Sequence, residues 1–284
     1  MITDYSVSTV LFAFALTVFA GLATGIGGLI AIAKKNPGPH FLAGTMGLSA
    51  GVMLYVSFIE LLPESIESLT SHSHDHAGHT DHAAHTASWI AVSVFFLSMA
   101  AIALIDRLIP EPMHVSEHDM SDKAARQHQQ AMMKTGSMAA LALMIHNFPE
   151  GAASFVAGTA QASIALPVVC AIAIHNIPEG IAVGVPIREA TGSKKKALLW
   201  TLISGLTEPL GALVCLLFLM PFMNGMALGI IFACVAGVMV FISLDKLLPA
   251  ALSTNKQHTA IYGVILGMAI MALSLLLFHH THAV

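Results

Sequence analysis

Charged residues are scarce in this chain of 284 residues. Only 10% of the residues are Asp, Glu, Lys or Arg, whereas 56% are hydrophobic. The mean hydropathy is +0.78, far above the value typical of a soluble globular domain. This composition excludes a soluble protein and indicates an integral membrane protein in contact with the lipid bilayer.

Several motifs of other protein classes are absent. The three cysteines all fall within apolar segments and form no Cys-Xaa-Xaa-Cys pair, so no disulfide framework is expected. The chain has no Gly-Xaa4-Gly-Lys-Ser/Thr sequence, which argues against a site for ATP. No basic cluster exceeds the short run at residues 194–196, which argues against a nucleic-acid partner. No prosthetic group is expected either.

Eight apolar segments are long enough to cross a bilayer, where a helix needs about 20 residues. We number them spans 1 to 8 in chain order. They cover approximately residues 7–33, 41–66, 87–109, 137–160, 163–187, 197–221, 225–248 and 258–279. The sequence therefore predicts an all-α membrane protein with eight transmembrane helices, arranged as a single domain over residues 1–284.

The distribution of basic residues predicts the topology. All 12 Lys and Arg residues lie at or in the connections that follow spans 1, 3, 5 and 7. The positive-inside rule places these connections in the cytoplasm, so both termini are expected to be extracytoplasmic. The connection at about 110–136 is thus expected in the cytoplasm, and the one at about 70–86 on the outer side.

The sequence His-Asn-Xaa-Pro-Glu-Gly occurs twice, at residues 146–151 in span 4 and at residues 175–180 in span 5. The His and Glu of each copy are four residues apart, so they share one face of a helix. An ionised carboxylate at the bilayer centre costs about 3 kcal/mol or more, and a duplicated one therefore indicates a functional site. Pro149 and Pro178 are expected to bend the two helices beside this site. The alternative is that His and Glu only join kinked helices through hydrogen bonds, and the duplication argues against it.

The two halves of the chain are related by a repeat. Residues 50–53 of span 2 match residues 236–239 of span 7, and residues 61–63 match residues 247–249. Span 1 aligns with span 6 through three pairs, which are Gly21 with Gly205, Thr24 with Glu208 and Gly27 with Gly211. Because matching spans are five apart, the two copies are expected to cross the membrane in opposite directions. The sequence predicts a 3+2+3 inverted-repeat arrangement with the two motif helices at its centre, as in many secondary transporters.

These features resemble the ZIP (Zrt-, Irt-like) family of divalent metal transporters, and most closely its bacterial ZupT-type branch. The resemblance covers nearly the whole chain and includes the run at residues 204–208 in span 6. It implies a transporter domain that carries divalent metal ions into the cytoplasm and holds two of them between its central helices, bridged by the motif glutamates. Carried over to this chain, the first site comprises His146, Glu150, His175 and Glu179, with Met53 as a further soft ligand. The second site comprises Asn147, Glu150, Asn176, Glu179 and Glu208.

The donor types bear on which metal is carried. Imidazole suits zinc and iron, whereas carboxylate and amide oxygens suit harder ions such as manganese. A mixed set without thiolate therefore predicts a broad range of divalent ions at moderate affinity. Together with the family resemblance, we interpret the chain as a transporter of zinc first, with iron, manganese, cobalt and cadmium also carried. Transport is expected to depend on an ion or proton gradient, because the ATP motif is missing. The alternatives are an intramembrane metal-dependent hydrolase, whose usual His-Glu-Xaa-Xaa-His sequence is absent, and a metal-sensing receptor.

Polar residues outside the motifs each have two interpretations. Glu60, near the outer end of span 2, is either part of a cation path or an acidic helix end. Asp245 is either an exit ligand or half of an ion pair with Lys246.

The outer connection at about 70–86 is expected to be disordered, and acts either as a metal-gathering antenna or as a plain polar loop. Its histidines are His72, His74, His76, His79, His82 and His85.

The expected location is the cell membrane, which is the inner membrane in a Gram-negative organism. The sequence leaves the oligomeric state open, a homodimer included.

Overall fold

The computed structural model describes residues 6–33, 38–74, 80–108, 120–159, 162–219 and 225–279, and within these ranges its regular secondary structure consists of helices joined by short turns. This confirms the all-α prediction. The α-helices are α1 (Val7–Ala33), α2 (Pro39–Val56), α3 (Leu62–His74), α4 (Thr80–Leu108), α5 (Met120–Gly158), α6 (Ala162–Thr191), α7 (Lys194–Gly205), α8 (Thr207–Val214), α9 (Gly225–Ile242), α10 (Leu248–Leu252) and α11 (Gln257–His279). Turns of π-helix occur at Ser57–Leu61, Cys215–Leu219 and Ser243–Leu247.

Six helical segments of the described chain are long and apolar enough to cross a membrane. They are Val7–Ala33, Pro39–Ser71, Ala84–Leu108, Lys194–Phe218, Gly225–Leu252 and Gln257–Leu277. The motif helices α5 and α6 are not among these six. The six segments support a multi-pass membrane protein, whereas the number of eight spans and the side on which the termini lie stay predictions.

Helices extend into both connections that the sequence predicts to be loops. In the outer connection, α3 runs to His74 and α4 starts at Thr80, so residues 70–74 and 80–86 are helical rather than disordered. Packing explains the extension of α3. This helix lies against α9, and the Ser65 hydroxyl donates to the carbonyl of Gly229 at 2.7 Å. Residues 75–79, between these helices, lie outside the described part of the chain.

In the predicted cytoplasmic connection at 110–136, α5 already starts at Met120. Its additional turns pack against the C-terminal part of α6. The side-chain amide of Gln129 donates to the carbonyl of Ala190, and His128 Nε2 lies 3.6 Å from the Glu189 carboxylate. These contacts explain why a polar segment continues the motif helix.

The helices pack as two groups. Helices α1 and α5 to α8 form one group, and α2 to α4 with α9 to α11 form the other. The groups meet mainly where α2 packs on α6 and where α5 packs on α9. A single buried cluster at this junction contains Met53, Leu143, Val183 and Met239, one from each of these four helices. The apolar core thus lies directly beside the two motif helices.

Close helix contacts occur in matched pairs. A Cβ atom added to Gly27 would overlap the carbonyl oxygen of Ile177, and one added to Gly211 would overlap that of Phe148. Gly27 and Gly211 are partners in the predicted repeat, and residues 148 and 177 occupy the same position of the two motifs. Span 1 therefore approaches span 5 in the same way that span 6 approaches span 4, as the predicted repeat requires.

The π-helical turns form a second matched pair. Ser57–Leu61 and Ser243–Leu247 fall at corresponding positions of spans 2 and 7. In each, the first serine donates to the carbonyl one turn earlier, at 2.7 Å to Met53 and at 2.8 Å to Met239. Such turns are rare in helices and occur often at functional sites.

The two π-helical turns carry opposite charges at the same position. Glu60 lies in the first turn and Lys246 in the second. Lys246 Nζ lies 2.7 Å from Asp106 and 2.8 Å from Asp245, and Asp106 also lies 3.3 Å from Lys134. Of the two interpretations of Asp245, the geometry favours the ion pair with Lys246.

We expect Gly27→Ala and Gly211→Ala to destabilise the protein, because a methyl group at either position has no space beside the opposing backbone. Overpacking of this kind typically costs about 1–3 kcal/mol. The measurement is the melting temperature of the purified protein in detergent. Gly44→Ala is the matched control, since its Cβ would lie 3.6 Å from Thr259 in ordinary contact. Equal melting temperatures for Gly27→Ala, Gly211→Ala and Gly44→Ala would contradict this account.

Candidate metal centre

The two motifs meet at a buried cluster of imidazoles and carboxylates between α5 and α6. His175 Nε2 lies 2.6 Å from the Glu150 carboxylate. His146 Nε2 lies 3.4 Å from Glu150 and 3.4 Å from Glu179. The four side chains that the sequence places on two helix faces are therefore brought together in space.

The cluster has the spacing of a metal site. His146, His175 and Glu179 each offer one donor atom, and these atoms lie within 4.8 Å of one another. Because zinc binds nitrogen and oxygen ligands at about 2.0–2.2 Å, donors this close can share one ion after small side-chain movements. All three residues are buried, and Glu179 has no exposed surface.

Many polar atoms of this cluster have no hydrogen-bond partner within the described structure. They are Nδ1 of His146, Nδ1 of His175, Oε2 of Glu179, Oε2 of Glu208 and the amide oxygens of Asn147 and Asn176. His146 Nε2, Glu150 Oε2 and Glu179 Oε1 likewise form no hydrogen bond, but they contact one another as ion pairs at 3.4 Å. A buried polar group without a partner costs about 1–3 kcal/mol, so such atoms are few in native proteins. Their concentration at one place fits side chains that bind cations.

Each motif asparagine bonds its own helix to a neighbouring span, and the two bonds are equivalent in the repeat. The amide of Asn147 donates to the carbonyl of Ser204 at 3.3 Å, and that of Asn176 donates to the carbonyl of Ala20 at 2.9 Å. Ala20 and Ser204 occupy matching positions of spans 1 and 6. These hydrogen bonds of the amide nitrogens hold the side chains in place, and the amide oxygens of Asn147 and Asn176 are buried.

Glu208 lies at a break in span 6. Helix α7 ends at Gly205 and α8 begins at Thr207, so Glu208 is in the first turn of α8. Pro209 contributes to the break because it has no N–H to donate to the Gly205 carbonyl. Sequence analysis missed this break, although Pro209 was a signal for it. Asn176 donates to the Glu208 carboxylate at 2.5 Å, and Glu208 lies within electrostatic range of both motif glutamates.

The motif glycines allow each motif helix to lie in close contact with span 1 or span 6. A Cβ atom on Gly151 would overlap the backbone carbonyl of Glu208, and one on Gly180 would overlap that of Thr24. Thr24 and Glu208 are partners in the repeat. Gly151 thus allows α5 to contact span 6 directly, and Gly180 allows α6 to contact span 1.

The two remaining candidate site residues, Met53 and Glu60, lie in span 2. Met53 is fully buried in the core cluster between the helix groups, and its role as a ligand stays a prediction. Glu60 is half-buried and lies within electrostatic range of His175. Of the outer histidines, only His85 has a described side chain, which is exposed and lies beside Trp89 with 6.2 Å between ring centroids.

Comparison with known proteins places the chain among metal transporters. The family model described as ZIP zinc transporter matches residues 7–135 and 110–275. A zinc transporter ZupT of Corynebacterium glutamicum is 58% identical over 94% of this chain and 99% of its own length. Proteins of the same name from Corynebacterium efficiens and Streptococcus mutans are 55% and 53% identical, over 95% and 94% of this chain and 98% and 97% of their own lengths.

We expect Zn²⁺ to raise the melting temperature of the purified protein, because an ion that binds only the folded state stabilises it. The gain is about 2.7 kcal/mol at a hundredfold excess over the dissociation constant. Glu179→Gln keeps the shape of the side chain but removes its charge, and should lose most of this gain. Glu189→Gln is the control on the same helix, since Glu189 pairs with His128. An equal zinc effect in both variants would show that the ion binds elsewhere.

Proposed function

The chain belongs to the ZIP zinc transporter family, and on that premise we propose that it carries zinc across the membrane through the centre between α5, α6 and α8. One observation carries the proposal. Two imidazoles and two carboxylates from a duplicated motif converge in the interior of a multi-pass membrane protein. Transport into the cytoplasm is part of the proposal and rests on the family resemblance.

Two ions are proposed to share the motif glutamates. The first would be held by His146, His175, Glu150 and Glu179, and the second by Glu150, Glu179, Glu208 and the two motif asparagines. Unit charges 4 Å apart interact by about 4 kcal/mol at an effective dielectric of 20, and divalent ions repel each other more strongly still. Three carboxylates do not neutralise two divalent ions. Entry of one ion would therefore promote release of the other, as a carrier requires.

Proton exchange is proposed to accompany metal binding. Without metal, the imidazole of His175 and the carboxylate of Glu150 interact directly at 2.6 Å, an arrangement that holds a proton between them. A metal ligand must be deprotonated, so an ion that binds both groups displaces this proton. Transport can then be coupled to a proton gradient without ATP.

The substrate range is proposed to include iron, manganese, cobalt and cadmium besides zinc, because the donor set mixes imidazole nitrogens with carboxylate and amide oxygens. Glu60 is proposed to guide cations towards His175, and Met53 to act as a soft ligand of the first site. The relatives are named as transporters, so the chain is not expected to be an enzyme and the hydrolase alternative gains no support.

Replacing Glu150 or Glu179 by Ala should abolish zinc uptake, because each carboxylate is proposed to contact both ions. Uptake into sealed vesicles containing the purified protein is measured and normalised to the amount of folded protein. Glu189→Ala should keep the wild-type rate within about twofold, since an exposed pair of this kind contributes little. Retention of more than half the wild-type rate by Glu150→Ala or Glu179→Ala would contradict the bridged pair.

Replacing the six outer histidines by Gln should raise the half-saturation concentration of zinc uptake and leave the maximal rate unchanged. Imidazoles near the entrance raise the local metal concentration, which matters only when metal is scarce. Substitution is preferable to deletion because α3 and α4 extend into this segment. The difference should disappear at about pH 5, where imidazole is mostly protonated and cannot bind metal. Equal half-saturation concentrations at about pH 7.5 would favour the plain polar loop.

A further inference from the structure

A buried hydroxyl group joins one helix group to a motif helix of the other. Ser49 in α2 has no exposed surface, and its hydroxyl donates to the carbonyl of Pro178 in α6 at 2.7 Å. Hydroxyl groups in helices commonly bond to a carbonyl one turn earlier in their own helix, as Thr45 of α2 does with Phe41 at 2.7 Å. Ser49 bonds to another helix instead. This hydrogen bond therefore fixes α2 against the motif of α6.

The repeat does not reproduce this hydrogen bond. Because residues 50–53 match residues 236–239, Ser49 corresponds to Val235 of α9. Val235 is also buried, at 3% exposure, but a valine side chain has no donor. Position 235 thus offers no hydrogen bond to the other motif helix, α5, although α9 packs on it. The hydroxyl at position 49 is a feature of the contact between α2 and α6 alone within this matched pair.

Met53 lies on the face of α2 that contacts the α6 motif. It is four residues beyond Ser49, and residues four apart share one face of a helix. It is fully buried, and it belongs to the same apolar cluster as Ile181 and Ala182 of α6.

The contacts of α2 also indicate the level of Met53 along α6. Ser49 contacts Pro178, and further along α2 Glu60 lies within electrostatic range of the earlier residue His175. The two helices therefore run antiparallel. From Ser49 to Met53 is about 6 Å along α2, and from Pro178 back to His175 is about 4.5 Å along α6, in the same direction. Met53 thus lies near the level of His175.

Met53 and the other proposed ligands of the first site belong to different helix groups. The histidines and glutamates lie on α5 and α6 in one group, whereas Met53 lies on α2 in the other. The position of its sulfur atom relative to the site consequently depends on how α2 is aligned with α6. Ser49, one turn away, fixes this alignment.

We propose that Ser49 is a positioning residue that holds Met53 in register with the first metal site, and thereby sets the preference of that site for soft ions such as Cd²⁺. A thioether is a soft ligand, whereas carboxylates suit harder ions, so a loss of register affects Cd²⁺ more than Zn²⁺. The inference rests on the proposed function, because it takes Met53 as a ligand of the first site.

The test compares Cd²⁺ and Zn²⁺ binding by the full-length protein purified in detergent, each measured by competition with a chromogenic chelator. Ser49→Ala should weaken Cd²⁺ binding by about tenfold and Zn²⁺ binding by less than about threefold. This variant is expected to fold, because the Pro178 carbonyl keeps the backbone N–H four residues later as its helical donor. Its melting temperature checks this.

Met53→Leu keeps the side-chain volume and should cause the same selective loss of Cd²⁺ affinity. In the Met53→Leu background, Ser49→Ala should change Cd²⁺ affinity by less than about twofold further, because Ser49 acts through Met53. Val235→Ala is the matched control, since it opens a small space at the repeat position without removing a hydrogen bond. It should leave the ratio of the two affinities unchanged.

An unchanged ratio of Cd²⁺ to Zn²⁺ affinity in folded Ser49→Ala would overturn the inference. Additive losses in the double variant would overturn it too, because Ser49 would then act independently of Met53. An equal change of the ratio in Val235→Ala would also overturn it, since loosened packing alone would suffice. Zinc uptake by the wild-type protein in vesicles tests the proposed function separately, and its absence would remove the proposed function together with the inference.

Discussion

The burial of ionisable side chains inside a membrane protein is the constraint on which the rest of this structure depends. Imidazoles and carboxylates buried in a protein interior are costly unless they contact one another or a cation. The protein meets this requirement by bringing two copies of one motif within hydrogen-bonding distance. Each motif helix is also held against span 1 or span 6 by direct backbone contact, at Gly27 and Gly180 on one side and at Gly151 and Gly211 on the other.

The two repeats make equivalent helix contacts, but they differ in the polar and charged residues that they carry at equivalent positions. The asparagines bond to equivalent carbonyls, and the motif glycines contact equivalent residues of spans 1 and 6. One of these equivalent residues is Thr24 and the other is Glu208, so one half has a neutral hydroxyl where the other has a carboxylate. The π-helical turns show the same principle, with Glu60 in one and Lys246 in the other. The two repeats therefore carry different charges at equivalent positions.

The ion pairs distant from the motifs join the two helix groups. Asp106 in α4 contacts both Lys134 of the motif helix α5 and Lys246 between α9 and α10. Lys246 also contacts Asp245, so these four charged residues form one connected network. The groups also meet through the apolar cluster around Met53 and Leu143, and the Ser49 hydroxyl of α2 donates to the Pro178 carbonyl of α6 at 2.7 Å, so the charged network is one of the polar elements of that junction.

The sequence by itself determined the all-helical membrane class, the family and the four His and Glu residues that converge, because hydropathy and a spacing of four residues are local properties. It did not determine how far α3 and α5 extend, since the packing of polar turns against α9 and α6 decides this. The break at Leu206 and the hydrogen bond from Ser49 to the Pro178 carbonyl also emerged only from the tertiary structure. Whether a buried hydroxyl has a partner depends on helices distant in sequence, and no local pattern records those contacts.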